Sequence, residues 1–286
     1  MQRIRIFSLL ALVAALGLVA AGCGGKKAAT SGQSPEQRVK TAIANVTKIN
    51  SGVVKIDATV SIGGMPGSFK VSGDGAFDTK AKGGPAFKLN MSINLGGQPQ
   101  ELGFTTVDGQ GYMQFGKTAF AIGKAGGGSS QSTGAINPKQ LKQLIGSLDG
   151  YFSDVKQDGT LQADGRTLTV YSAKVDLVRA ATDAQRKIGT LPAVPGLGNV
   201  QALAGSFGDT TVRIGIGDDE LPRSIAIESS YGSTGNGATS SGSLKLSALV
   251  TKVNEPVKIK KPAHVTEGQS ALGGLGSMLG GLGASQ

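Results

Sequence analysis

Apolar and polar residues change their spacing along this chain, and each change marks an element. Val39, Ala42, Ile43, Val46 and Ile49 recur at helical intervals, which predicts an amphipathic helix over residues 35–49. Its start is written in Ser34-Pro35-Glu36-Gln37: a capping serine, a proline suited to the first position, and a glutamine three residues after the cap. Beyond Ile49 the period falls to two. Val54, Ile56, Ala58, Val60 and Ile62 alternate with Lys55, Asp57, Thr59 and Ser61. The same alternation runs through Phe69, Val71, Gly73, Gly75 and Phe77, then Phe87, Leu89, Met91, Ile93 and Leu95, then Leu102, Phe104 and Thr106. Gly- and Pro-rich breaks at 63–67 and 83–85 separate these runs, and Asp108-Gly109 and Gly116-Lys117 turn the chain into Gly111–Phe115 and Thr118–Ile122. Six short strands in series, each with one apolar face, predict an antiparallel meander with one dry side.

The remainder is patterned more loosely. A polar Gly-rich loop at 123–134 leads to Pro138, which opens a helix carrying Leu141, Leu144, Ile145 and Leu148 on one face. Strands at 155–163 and 166–175 flank Asp164-Gly165, and a third helix covers Leu177–Ile188. Residues 189–208 are rich in Pro and Gly yet carry Leu191, Val194, Leu197, Val200, Leu203 and Phe207. They read equally as a covering lid or as an ordinary packed loop. Strands follow at 210–217 and 222–231, then a Gly/Ser/Thr loop at 232–242 and a last strand at 243–253. The expectation is about 11 strands and three helices.

The N-terminus has a different logic. Arg3 and Arg5 precede an uncharged run from Ile6 to Ala21, which as helix would reach about 24 Å, short of the ~30 Å core of a bilayer. Two cations, a short apolar run and a small-residue end describe an export signal over residues 1–22. Val19-Ala20-Ala21-Gly22-Cys23 resembles a bacterial lipobox, with Ala20 where that motif usually has Leu. The resemblance implies recognition through Ala20, Ala21 and Gly22, cleavage before Cys23, and acylation of Cys23 by diacylglyceryl and palmitate-type chains. An ordinary signal peptide with a small-residue cleavage site is the plainer alternative. The only Cys in the chain sits at the one position the lipobox requires. Residues 23–33 form a flexible tether, 34–265 a single domain, and 266–286 a tail. In that tail Leu272, Leu275, Leu279 and Leu282 keep a helical spacing interrupted by glycines. Each glycine costs a helix about 1 kcal/mol, so the tail is expected to be disordered unless a membrane or apolar groove orders it.

Composition narrows the chemistry. Glycine makes up 46 of 286 residues, about twice the usual share of roughly 7%. No Gly-X-Y repeat accompanies it, which excludes collagen, and 39% of residues are hydrophobic, which argues against a disordered chain. One Cys and one His exclude a disulfide framework and the common structural zinc sets. His264 sits beside Pro262-Ala263 near the chain end, and Asp218-Asp219-Glu220 reads as a solvated hairpin tip rather than a metal site. No nucleophile–base set and no phosphate or dinucleotide fingerprint is present. The sequence therefore argues for no enzyme, no catalytic residue, no metal and no cofactor. Without residues 1–22 the chain carries 27 cations against 19 anions. Export separates it from nucleic acid, so Lys26 and Lys27, directly after Cys23, point to anionic headgroups, while the remaining scattered charges read as a solvated surface.

The order of parts, with Asp108-Gly109-Gln110-Gly111-Tyr112-Met113, Asp164-Gly165-Arg166-Thr167-Leu168-Thr169-Val170-Tyr171 and Leu221-Pro222-Arg223-Ser224-Ile225, resembles the actinobacterial LppX/LprG lipoproteins. The likeness to the LolA/LolB lipoprotein carriers is more distant. It spans about Ser34 to Ala263. The absence of Trp, the Gly-rich linkers and the Leu/Gly tail depart from the pattern. The resemblance implies an α+β fold, a half-open antiparallel β-barrel with amphipathic helices covering its concave face around an apolar cavity. It implies a lipoprotein on the extracytoplasmic face of the cell membrane that binds or carries a lipid or acylated glycolipid, with a transporter or acceptor protein as a possible partner. Candidate acyl-chain liners are Ile56, Val60, Phe69, Val71, Phe77, Leu89, Met91, Ile93 and Phe104, with Leu144 and Leu148 from the covering helix. Apolar alternation alone equally marks a solid core. That is the alternative: an envelope scaffold or interaction lipoprotein.

Overall fold

The computed structural model describes residues 32–62, 68–95, 98–124, 148–188, 207–235 and 238–266. Ala20, Ala21, Gly22, Cys23, the helix expected from Pro138 through 147 with Leu144, residues 189–206 and the tail from 267 lie outside the described residues. Helix α1, Pro35–Asn45, begins as its sequence dictates: the Ser34 hydroxyl accepts from the Gln37 amide, and the Gln37 side chain accepts from the Ser34 amide. It is shorter than the apolar spacing suggests, because Val46–Lys48 tighten into a 3₁₀ turn.

Among the described residues, twelve strands form one sheet. β1 (Ser51–Ile62), β2 (Ser68–Asp78), β3 (Ala86–Leu95), β4 (Gln98–Val107), β5 (Gln110–Phe115) and β6 (Thr118–Lys124) make the expected first meander. A 3₁₀ turn at Leu148–Tyr151 enters β7 (Phe152–Ala163), β8 (Arg166–Val175) follows, and helix α2 (Leu177–Ile188) precedes β9 (Phe207–Ile216). β10 (Pro222–Gly235) and β11 (Ala238–Thr251) complete a second meander, and β12 is the short Val265–Thr266. The spatial order is β12-β6-β5-β4-β3-β2-β1-β11-β10-β9-β8-β7. All neighbours are antiparallel except β12, which runs parallel to β6. The two meanders are thus joined by β1 and β11 at the centre.

Two expectations are corrected. Residues 232–242 are mostly strand, because Gly232 to Gly235 pair with Ser241 to Ala238 and extend the β10–β11 ribbon. Their Ser, Thr and Gly side chains carry no apolar alternation, so periodicity was blind to them. Among the described residues the strands number twelve rather than eleven, the addition being β12, too short to produce any period.

Both Asp-Gly turns adopt the geometry that joins strands in two residues. Asp108 and Gly109 have φ of 52° and 72°, and Asp164 and Gly165 have 53° and 69°, as a type I′ hairpin requires. The sheet does not lie flat. Leu221, in the β9–β10 turn, packs in one cluster with Ile49, Phe77 on β2 and Phe87 on β3. In a flat sheet β10 and β3 would be separated by about 19 Å at the usual ~4.8 Å per strand. Curling brings them together and gives an open, barrel-like sheet without closure, its edges being β7 and β12.

Candidate apolar face

Register decides which side chains share a face, since directly opposed residues of antiparallel strands point the same way. Val60 opposes Phe69, and Ala58 opposes Val71, which opposes Ile93. Ile56 opposes Gly73, then Met91, Leu102 and Phe115. Val54 opposes Gly75, then Leu89, Phe104, Met113 and Phe120. Gly52 opposes Phe77 and then Phe87. All nine strand residues singled out from sequence therefore lie on one face of β1–β4. Of these, Ile56, Val71, Phe77, Leu89, Met91 and Ile93 are buried, while Val60, Phe69 and Phe104 are half-buried. Leu148 opens the 3₁₀ turn before β7.

The same face continues across the second meander. Ala58 opposes Leu246, which opposes Ile227, then Val212 and Ala173. Sequence reasoning did not name Leu244, Leu246 or Ile227 as liners, although they pack with Ala58, Val71 and Ile93. Their alternation was visible, but their adjacency to β1 was not. Val39, Ala42 and Ile43 of helix α1 pack in one cluster with Tyr171 on β8 and Val212, Ile214 and Ile216 on β9. Helix α2 is fixed by Asp176, whose carboxylate accepts from the Arg179 amide, and Asp183 accepts from the Tyr151 hydroxyl at 3.1 Å.

The two ends of the face differ. At one, Ile49, Phe77 and Leu221 are buried together, with Val250 and Val253 against them. At the other, Val60 and Phe69 are only half-buried, while Leu244 is buried and the buried polar pair Thr210 and Ser229 share a hydrogen bond of 2.7 Å. Beside them the Tyr231 ring covers Gly242, and its hydroxyl donates to the Ser61 carbonyl at 2.8 Å. Burial pushes the Tyr231 phenol up.

The acidic tip at 218–220 has a local structural task. Asp219 pairs with Arg223, a buried guanidinium, and its other oxygen accepts from the Leu221 amide. The Glu220 carbonyl accepts from the Asn45 side chain, tying the turn to α1. His264 is exposed, with φ of 57°. Among the described residues no group of three or more His, Cys, Asp or Glu side chains is placed to hold a metal ion, and no helix is long and apolar enough to cross a membrane.

No family model matches the chain, and no curated protein sequence matches it. Among solved structures it is similar to LprF from Mycobacterium bovis, at 16% identity and a TM-score of 0.47, over 80% of this chain and 97% of that one. It is similar to the Mycobacterium tuberculosis lipoprotein LppX at 12% identity and a TM-score of 0.40, over 79% and 98%. A putative outer membrane lipoprotein-sorting protein domain from Vibrio parahaemolyticus aligns at 6% identity and a TM-score of 0.24, over 80% and 96%. LppX belongs by name to the group that the sequence resembles.

Proposed function

We propose that the chain is a non-enzymatic lipoprotein of the cell envelope that holds acyl chains of a lipid or lipoglycan against the apolar face of β1–β4. In this reading Cys23 carries the diacylglyceryl anchor, residues 23–33 are the tether, and the folded body works on the extracytoplasmic side. The observation that carries it is the continuous apolar face across β1–β4, on which Val60 and Phe69 are half-buried while Phe77 is buried at the opposite end. An acyl chain enters past Phe69 with its methyl end toward Phe77, leaving its headgroup outside Val60 and Phe69. Each buried methylene contributes about 0.8 kcal/mol, so a long chain offsets the ordering cost of binding without any charged contact.

A second reading keeps the same fold with a solid core. The tight burial of Ile56, Val71, Leu89 and Ile93, each at 3–6% exposure, favours it. Extraction separates the two. The chain from Gly24 onward, produced in a bacterial host and extracted with organic solvent, is expected to release stoichiometric lipid detectable by mass spectrometry. A lipid-free protein that also refuses a fluorescent fatty acid sinks the carrier reading and leaves the scaffold. A Cys23→Ser variant of the full chain is expected to leave the membrane fraction, and its continued tight association would contradict the anchor.

A further inference from the structure

The face opposite the apolar one carries a feature that lipid binding does not use. After β11 the chain leaves the sheet centre: the Ser51 hydroxyl donates to the Glu255 carbonyl at 2.7 Å, and the Asn254 amide donates to the Ser51 carbonyl. Ten residues later Val265 pairs with Ala119 on β6. Between these points the strand order places β2, β3, β4 and β5. Five inter-strand steps amount to about 24 Å, and ten residues reach at most about 33–36 Å, so residues 256–264 form an extended strap across the sheet.

The strap has a third fixed point at Lys261, whose ammonium lies 5.6 Å from the centre of the Tyr112 ring. Tyr112 opposes Thr105, which opposes Lys88. These three belong to the register set opposite Leu89 and Phe104, so the strap crosses the polar face. Val257 and Ile259 are half-buried while Lys258, Lys260 and Lys261 are exposed. From Pro256 to Thr266 there is no acidic residue. Among the described residues no carboxylate pairs with Lys258, Lys260, Lys261 or Lys88. The polar face of β1–β4 also carries Asp57, Asp74, Asp78 and Glu101, of which Asp74 sits opposite Lys55 in the register and accepts from Asn90. An alternation that points aliphatic side chains inward and lysines outward, on a strap held at three points, builds a fixed cationic ridge.

We propose that this ridge is a docking surface for an anionic lipid bilayer, which it meets with the polar face of the sheet. Fixed cations on an exposed ridge keep their charge close to a flat anionic surface, where each contributes most. The ridge is independent of the acyl-chain reading and of the anchor.

The test is co-sedimentation of the chain from Gly24 onward, which retains every described residue, with vesicles of phosphatidylcholine alone or mixed with phosphatidylglycerol. Binding is expected only with phosphatidylglycerol and is expected to fall as salt rises. Lys258→Ser with Lys260→Ser, which leaves the Lys261–Tyr112 contact in place, is expected to weaken binding by about 30-fold. Lys258→Arg with Lys260→Arg is expected to retain it, and all variants are expected to unfold at the wild-type temperature. Equal binding to both vesicles overturns the proposal, as does undiminished binding by the serine variant. Loss of all binding in a Lys26→Ser, Lys27→Ser variant would assign the effect to the tether instead. Capture by a soluble anionic polysaccharide without vesicle binding would also contradict it.

Discussion

Single positions in this sheet are governed by how closely its backbones approach. A Cβ at Gly75 would run into the Lys88 carbonyl of the neighbouring strand, and one at Gly242 into Ser61 and the Tyr231 ring. Gly75→Ala is therefore expected to destabilise by about 1–3 kcal/mol, the usual cost of overpacking, read as a lower urea midpoint. Tyr231→Phe removes the hydrogen bond to the Ser61 carbonyl, a loss worth roughly 0.5–1.5 kcal/mol. It also changes the alkaline limb of stability. The neutral phenol is the favoured form in the folded state, so its contribution is complete below the ordinary tyrosine value of about 10. It is lost as pH rises through the higher folded value. The phenylalanine variant is expected to show a shallower alkaline loss of stability than the wild type, and an identical slope would contradict this assignment.

Elements were legible where side-chain period or turn chemistry specified them. Helix α1 followed from Ser34, Pro35 and Gln37, and Ser34→Ala is expected to cost about 1 kcal/mol with most of the loss in α1, measured by amide hydrogen exchange. The hairpins at Asp108-Gly109 and Asp164-Gly165 followed from residues that tolerate positive φ. The β10–β11 extension escaped because Ser, Thr and Gly fit either a loop or a polar two-stranded ribbon. The strap escaped for another reason: Pro256-Val257-Lys258-Ile259 has strand-like alternation, but most of its contacts are with strands more than 130 residues earlier. Its terminal pair, Val265 and Thr266, occupies the β6 edge and so keeps another strand from adding there. A chain ending at Asn254 is expected to expose that edge and Tyr112, and to associate with rising concentration in size-exclusion chromatography. A monomer indistinguishable from the wild type would argue against the protective role.

At the scale of the whole molecule, the face was legible and the neighbours were not. Alternation assigned Ile56, Val60, Phe69, Val71, Phe77, Leu89, Met91, Ile93 and Phe104 to one side, and the register places all nine there. It gave no sign that β1 would pair with β11, because nothing local distinguishes one antiparallel partner from another. That pairing fuses two meanders into one sheet and extends the apolar face through Leu246 and Ile227. The central claim is that this face receives an acyl chain. Met91 lies in its middle with Met113 on the row beside it, two strands away, so methyl NMR of a methionine-labelled, delipidated protein titrated with a long-chain fatty acid tests the claim most directly. Saturable shifts of the Met91 and Met113 methyls, with broadening when the acid carries a spin label along its chain, are the predicted result. Unchanged Met91 and Met113 resonances at saturating fatty acid would contradict the account.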